Sequence, residues 1–579
     1  MFYTPTQQSA EAPAPYTPQY PPYVKKVYSP LEKRDSRFFI VTALLAFLFT
    51  DFAFFKGFHL GFTIAYAVVF IASTVYLWNF EKRQGVFPLI CGAVSLAGAV
   101  TLSLYTNIFV NAIMVILIAG LFTLYCLGIS GSFNRPRGNF KMLFDLASAA
   151  LLNPLENLSD IFGSVKASTK TGSKNLSVLI GVLLALPALF VIIPLLISSD
   201  AAFEGLWNSI IENIGVYLLE LAAALVLTPF AFSYLYGKRK RLNVKENGVH
   251  KGVNRVFPAA GAVSFLSVIS LVYFVYLFSQ LAYFFSAFKG ILPEGYKYNA
   301  SVFARRGFFE MFAIVAINIA LISVINAFTK RNKGRVSPAL KGISLFISLF
   351  SVLMLAIAMQ KMRLNIATYG YTRNRLLVWV FMIMMLFVIA FFIIHIFAPK
   401  VPYMQAIIVF CSVLFVALSF ADINTMTAEY NTAAYQDGRL KSVNVEYLAE
   451  LGDGVVPSLV KLTRSDDKKT AAKAEIAIIK FAADTKCFDS DKDNKLIYRP
   501  ADFRAYSKAK AASCKAITDY FNSLDKDAQA DFISKFSRFK NYYFEYDKDK
   551  DMYADWEYDE GFEYNKDTCR YEYVKNIRE

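Results

Sequence analysis

The sequence predicts an all-α integral membrane protein, in which about eleven transmembrane helices precede a mostly helical C-terminal soluble domain. Hydrophobic residues make up 56% of the 579-residue chain and charged residues 18%, against roughly 45–50% and 25% in soluble proteins. The charged residues are also segregated. They leave repeated apolar runs of about 18 residues or more, which are long enough to cross a hydrocarbon core as helices.

Each long apolar run is interpreted as one spanning helix. The first run lacks a small-residue cleavage site and is therefore expected to act as an uncleaved anchor. The run that starts at Phe257 is longer than a bilayer requires, so its helix is expected to tilt or project. The predicted spans cover residues 38–55, 60–79, 86–105, 108–129, 176–198, 212–236, 257–287, 307–328, 341–360, 376–398 and 402–422.

The segments outside the spans define the predicted domains. Residues 1–37 are rich in Pro, Tyr and Gln and are expected to be a disordered tail. The transmembrane domain covers 38–422, and its loop at 139–165 has apolar residues at helical spacing. That loop is interpreted as an amphipathic helix on the membrane surface or as a helix packed on the bundle. Residues 423–579 form the C-terminal domain, with an aromatic and acidic tail expected to be a hairpin or an irregular cap.

Loop charge predicts the orientation, because cytoplasmic loops carry an excess of Lys and Arg. With the N-terminus inside, 26 of the 35 basic residues in 1–422 fall in cytoplasmic segments and 9 fall outside. An odd number of spans then places the C-terminal domain outside the cytoplasm. The same distribution argues against nucleic acid as a partner: residues 1–422 carry 16 acidic residues, a balance of +19, whereas 423–579 carry 26 basic and 29 acidic residues, a balance of −3.

Three stretches carry a family resemblance. The first is ILPEGYKYNASVFARRGFFEMFAIVAINIALI at 291–322, with the motif Ala304 to Glu310; the second is KMRLNIATYGYTRNRLLVWVFM at 361–382; the third runs from Asn424 to Leu462. Together they resemble an uncharacterised bacterial membrane-protein family, domain of unknown function 4173. The aromatic and acidic tail departs from that pattern. The resemblance implies a multi-spanning bacterial membrane protein, and it implies no reaction, substrate or cofactor. Together with the loop charge, this predicts a protein of the bacterial plasma membrane with a cytoplasmic N-terminus.

Ionisable side chains inside or beside the spans are the candidate site residues, because such groups are costly in a bilayer unless they are paired or hydrated. Under the predicted topology they gather near the outer face, where the basic residues could bind a phosphate or carboxylate. The alternative is a structural pair, since Glu310 lies one helical turn after two arginines. The candidate ligand-binding residues are Arg305, Arg306, Glu310, Arg363, Arg373, Arg375, Glu220 and Asp51.

The sequence leaves the function open. The favoured interpretation is a non-enzymatic cell-envelope binding, sensing or scaffolding protein with a polar outer-face site. The alternatives are a transporter of a small solute or lipid and an intramembrane enzyme acting on a lipid-linked substrate. No cofactor or metal is expected, because no HExxH, CxxC, P-loop or GxSxG pattern is present. The expected partners are the lipid bilayer and, at the outer face, an anionic ligand, a lipid headgroup or an envelope protein.

Overall fold

The computed structural model describes residues 31–54, 57–78, 85–105, 108–133, 142–159, 161–164, 201–242, 257–289, 308–330, 336–398, 401–485, 487–490, 496–498, 503–546, 562–565 and 570–573, together with a few residues of 192–199. Most of the predicted tail (1–37) and almost all of the predicted span 176–198 lie outside these residues, as do Arg305 and Arg306.

The apolar runs form long helices. In chain order these are α1 Lys33–Phe49 (extended by a π-helical turn Thr50–Phe54), α2 Leu60–Leu77, α3 Phe87–Leu104, α4 Ile108–Ser130, α7 Ala201–Lys240, α8 Ala259–Lys289, α9 Phe308–Phe328, α10 Pro338–Tyr369, α11 Arg373–Phe397 and α12 Tyr403–Phe420. Short helices α5 Met142–Ala147 and α6 Asn153–Glu156 lie between α4 and α7.

Within the described residues, nine helices are long and apolar enough to cross a membrane, and each of them coincides with a predicted span. A tenth predicted span, 307–328, is the helix α9, of which the apolar part Glu310–Asn326 is shorter. The all-helical membrane class is therefore supported, while the count of eleven stays a prediction. The run from Phe257 forms a 31-residue helix, as its length predicted.

The bundle has two ends, which ion pairs identify. At one end Arg239 of α7 binds Asp35 in the first turn of α1, with 2.5 Å between Nη1 and Oδ1. At the other end Asp51 binds Arg504 of the C-terminal region. The two aspartates are 16 residues apart, which is about 24 Å along a helix. We call these the Asp35 end and the Asp51 end; the C-terminal region is attached at the Asp51 end.

Aromatic side chains pack against one another between the helices of the bundle. Phe38 stacks on Tyr76 with 3.7 Å between ring centroids, and Tyr273 stacks on Phe350 at 4.2 Å. One network of polar side chains inside the bundle is internally paired, which avoids the cost of unpaired groups in lipid. The Tyr273 hydroxyl donates to Asn318 at 2.6 Å, and the Asn318 amide donates to Ser351 at 3.0 Å.

In the loop 139–165, the described residues are helical in short pieces, while the predicted amphipathic helix on the membrane surface stays a prediction. Helix α5 continues into a π-helical turn at Ser148–Leu152, and α6 begins directly after it. Pro154 lies in the first turn of α6, where a missing amide proton costs nothing and where the ring disfavours a helix running through from the preceding residues. Ser233 of α7 donates to the Pro154 carbonyl at 2.5 Å and ties this segment to the bundle.

The C-terminal region folds around a hydrophobic core of its own. Its buried side chains include Ile478, Ile517, Phe532 and Phe536. The last candidate span in the described residues ends at Phe420. The elements are α13 Ile423–Gln436, α14 Val445–Ala449, α15 Val456–Leu462, α16 Lys468–Asp484, the hairpin β1 Phe488–Ser490 and β2 Leu496–Tyr498, α17 Lys508–Ser523, α18 Lys526–Tyr546 and the hairpin β3 Phe562–Asn565 and β4 Arg570–Tyr573.

Candidate functional site

Asp51 lies at the end of the first helix and binds the C-terminal region. Its Oδ1 atom accepts a hydrogen bond from Arg504 Nη1 at 2.5 Å, and the two side chains are only 17% and 19% exposed. Arg504 belongs to a 3-10 turn, Phe503–Ala505, whose Phe503 ring meets Phe52 edge-on. The backbone amide of Leu60, in the first turn of α2, donates to the Tyr506 carbonyl at 3.3 Å. Asp51, which was predicted to bind a ligand, therefore contacts the C-terminal region.

Arg373 and Arg375 lie in the first turn of α11 and also face the C-terminal region. The Arg373 backbone amide donates to the Tyr447 hydroxyl of α14 at 2.7 Å. Arg375 donates from Nη1 to the Gly370 carbonyl at 2.8 Å, which closes the turn between α10 and α11. Thr372 caps α11 by accepting a hydrogen bond from the Arg375 amide. The turn therefore holds both arginines beside the bound region.

Asn431 of α13 clasps the same turn with both ends of its amide. Its Oδ1 atom accepts from the Tyr371 amide at 2.9 Å, and its Nδ2 atom donates to the Tyr371 carbonyl at 2.8 Å. Gly370 has a φ of +75°, and a Cβ atom at this position would lie 2.6 Å from Asn431 Oδ1. Glycine is needed both for the left-handed backbone and for this close approach.

Asp422 links the last spanning helix to the C-terminal region. It has a φ of +50° and caps α13 by accepting from the amides of Asn424 and Thr425. Burial raises the pKa of its carboxyl group, and the hydrogen bonds from Thr425 and Asn424 oppose that rise. Beside it is a pocket with about 280 Å³ of empty space, lined by Thr101, Tyr105, Val110, Asn111, Ser419, Asp422 and Ile423.

The remaining predicted site residues are spread over three helices. Glu220 is 1% exposed in α7, and its backbone carbonyl accepts from the Thr50 hydroxyl at 3.3 Å. Glu310 and Arg363 are exposed on α9 and α10. The Glu310 carboxylate is close enough to Lys361 of α10 to interact with its charge. Glu310 therefore has a cationic neighbour besides the predicted Arg305 and Arg306. A single pocket shared by all the candidate residues stays a prediction.

The sequence reasoning missed the charge cluster at the Asp35 end. Asp35 is fully buried and accepts from the Tyr76 hydroxyl at 2.9 Å and from Arg239 at 2.5 Å. Lys240 bonds both Asp35 and Glu32. The local signal was present: Asp35 is an acidic residue among basic ones at the start of the first apolar run, and the run GKRKR ends α7. In the sequence analysis these charged residues served only to predict the orientation in the membrane.

The described residues contain no group of three or more His, Cys, Asp or Glu side chains placed to hold a metal ion. Cys487 and Cys514 are buried free thiols in the core of the C-terminal region. Burial and the neighbouring Cys487 raise the pKa of the Cys514 thiol to about 12. Asp489 of β1 pairs with Lys540 of α18 at 2.7 Å.

The fold and these contacts define a multi-spanning helical membrane protein with an attached C-terminal helical region. A family model for a domain of unknown function (DUF4153) matches residues 89–462, and the chain belongs to that family. The match runs from α3 to α15. The sequence resemblance was to domain of unknown function 4173, so the family number was wrong, but the prediction of an uncharacterised family is confirmed. No curated protein and no solved structure shows significant similarity to the chain.

Proposed function

We propose that the protein is a non-enzymatic cell-envelope protein, whose helical bundle holds a soluble, extracytoplasmic C-terminal domain in a fixed position for binding, sensing or scaffolding. The observation that carries this proposal is the docking of the C-terminal region at the Asp51 end. Two candidate positions contact it directly: the Asp51 carboxylate pairs with Arg504, and the Arg373 backbone amide donates to Tyr447. Beside them, Arg375 closes the turn between α10 and α11, and Asp422 caps α13. Contacts that join protein to protein fit a scaffold better than an open channel.

Two observations weigh against transport as the first choice. Helix α7 is continuous through Pro229, so this proline does not break it in the way that substrate-binding helices of transporters are broken. The Tyr273, Asn318 and Ser351 network is internally satisfied, and polar side chains of this kind act as contacts between helices. Glu220 remains the residue on which a transport mechanism would depend, because it is a buried carboxylate within a candidate span.

A complementation experiment distinguishes these functions. A deletion strain is profiled for solutes, lipids and envelope defects, and is then supplied with the full chain, a chain ending after Asn444, or the Glu220→Gln variant, each checked for membrane expression. A scaffold predicts that the shortened chain fails and that Glu220→Gln restores the phenotype. Rescue by the shortened chain, or failure of a well-expressed Glu220→Gln variant, would favour transport or catalysis within the membrane.

Orientation is tested separately with a membrane-impermeant thiol reagent on intact cells. A cysteine introduced at Ser523 should be labelled, and one introduced at Asn247 should not. Labelling at Asn247 alone would place the C-terminal region in the cytoplasm and would remove the extracytoplasmic part of the proposal.

A further inference from the structure

A second pocket lies at the Asp35 end, on the side of the bundle away from the C-terminal region. It has about 250 Å³ of empty space between the ends of α4 and α7 and the helix α6. It is lined by Leu127, Ser132, Asn153, Asn157, Tyr234, Gly237, Lys238 and Arg241. Two cationic, two amide and two hydroxyl side chains therefore belong to its lining, which contains no carboxylate.

The four consecutive cations that end α7 divide between two partners. Arg239 and Lys240 are bound by the carboxylates of Asp35 and Glu32. Lys238 and Arg241 line the pocket instead. In the described part of the chain neither of these two forms an ion pair. Their positive charges can therefore attract an anion that enters the pocket.

Lys238 is held in place although it is buried. Its exposed fraction is 5%, and its ammonium group donates to the carbonyls of Ala149 at 3.1 Å and Tyr234 at 3.2 Å. The same nitrogen lies 3.1 Å from the centroid of the Tyr234 ring. These dipoles orient the cation without neutralising it, because a carbonyl carries no net charge. A buried cation without a counter-ion attracts an anion strongly.

Arg241 is positioned by an uncommon backbone conformation. Its φ is +54°, in the left-handed region that arginine rarely adopts, and the chain turns there through a hydrogen bond from the Leu242 amide to the Gly237 carbonyl at 3.0 Å. Its Nε atom is shielded from solvent and has no hydrogen-bond partner among the described residues. Helices commonly end in this left-handed conformation, but a solvent-shielded donor without a partner, in a residue that lines a pocket, calls for an explanation, and a ligand in the pocket would supply one.

The surface next to the pocket is apolar and faces outward. The segment that supplies Asn153, Asn157 and the Ala149 carbonyl also exposes large apolar side chains, with Leu151 at 69% and Leu155 at 57% exposure. A soluble anion would not cover this apolar surface. The acyl chains of a lipid would cover it while the phosphate enters the pocket, as for basic pockets between transmembrane helices that bind anionic headgroups.

We propose that the Lys238 and Arg241 pocket binds the phosphate of an anionic phospholipid, whose acyl chains lie along Leu151 and Leu155. Arg241 would form hydrogen bonds to the phosphate through its guanidinium group, Lys238 would supply a point charge, and Asn153 and Asn157 would contribute amide donors. The site is at the opposite end from the predicted outer-face residues and is independent of them.

The test titrates the purified full-length chain in detergent with dioleoylphosphatidylglycerol or dioleoylphosphatidylcholine and counts bound lipid by native mass spectrometry. The wild-type chain should retain phosphatidylglycerol in preference. Arg241→Gln should weaken that binding by about tenfold or more, the loss expected for one charged hydrogen bond. Lys238→Met, which preserves side-chain volume, should do the same. Arg37→Gln is the control, since Arg37 is exposed near the same end and does not line the pocket.

Two further arms separate a lipid from a soluble anion. Inorganic phosphate at equal concentration should not displace the lipid, and Leu155→Gln should weaken phosphatidylglycerol binding without touching the cations. Equal binding of the two lipids, an equal loss in Arg37→Gln, or unchanged binding in both Arg241→Gln and Lys238→Met would overturn the site. Displacement by phosphate together with an inert Leu155→Gln variant would overturn the assignment to a lipid.

Discussion

The ion pair between Asp51 and Arg504 offers a direct measure of how firmly the C-terminal region is held. Exposed ion pairs contribute about 0–1 kcal/mol, whereas removal of one partner from a fully buried pair costs about 3–5 kcal/mol. With side-chain exposures of 17% and 19%, this pair lies between those limits. Asp51→Asn should therefore weaken docking by about 2 kcal/mol, which is roughly a 30-fold change in the equilibrium.

The Leu60 amide reports this equilibrium, because it donates across the interface to the Tyr506 carbonyl. Hydrogen exchange at Leu60 should be about 30-fold faster in Asp51→Asn and in Arg504→Gln under conditions where opening is in fast equilibrium. The double variant should be little worse than either single one, since the coupling energy of an interacting pair appears as non-additivity.

Additive effects of the two single variants would show that the residues do not act on each other. Unchanged exchange at Leu60 in both variants, with normal exchange in the bundle, would refute the role of the pair in docking. Glu429→Gln serves as the matched control, because it removes an exposed carboxylate from the same region without an ion pair to the bundle among the described residues.

The remaining predictions concern a glycine, a carboxylate and a thiol. Gly370→Ala should destabilise the chain by about 2 kcal/mol or more by thermal unfolding, since it combines left-handed strain with a clash at Asn431 Oδ1. The hydrogen bond and charge of Lys240 lower the pKa of Glu32 below its ordinary value of 4.5. The ionised Glu32 therefore contributes its full stabilising effect above about pH 4.5, and this effect is lost as the pH falls through the lower pKa of the folded state. Glu32→Gln should remove that part of the acid dependence of the melting temperature. Cys514, with a pKa raised to about 12, should resist alkylation at pH 8 in the folded chain and react after denaturation, as judged by mass.

These predictions have controls within the chain. Gly342 lies in α10, the helix that ends at Gly370, and has open space around its Cβ position. Gly342→Ala should therefore not destabilise the chain. A melting profile of Glu32→Gln that keeps the full acid dependence would contradict the Glu32 assignment. Alkylation of Cys514 in the folded chain as fast as in the denatured chain would contradict its burial.

The spans were predictable because each is encoded locally. A run of apolar residues specifies a spanning helix without reference to the rest of the chain, and nine helices agree with that reading. The ends were less predictable. Helix α10 was expected at 341–360 but runs from Pro338 to Tyr369, because Lys361 and Arg363 continue the helix beyond its apolar part until Gly370 ends it.

The contacts of the candidate site could not be predicted from sequence. Arg504 is 453 residues from Asp51, and pairing over that separation leaves no local pattern. The same holds for Asn431 and Tyr371, where the decisive signal is a glycine with positive φ that sequence alone does not distinguish from other glycines. Local reasoning identified Asp51, Arg373 and Arg375 as unusual and assigned them to a ligand. In the structure, Asp51 and the Arg373 backbone contact the C-terminal region, and Arg375 donates to the nearby Gly370 carbonyl.

Helix α10 has a mechanical consequence. Its 32 residues span about 48 Å, well beyond a hydrocarbon core of about 30 Å. One tip is clasped through Gly370 and Tyr371 by Asn431, and the other begins at Pro338, beside the buried residue Leu340. It is therefore a stiff rod that joins the C-terminal region to the far face of the bundle. Because Phe350, Met354 and Ala358 of this helix are buried in the bundle core, a tilt of that region that moved the rod would also shift these contacts within the membrane.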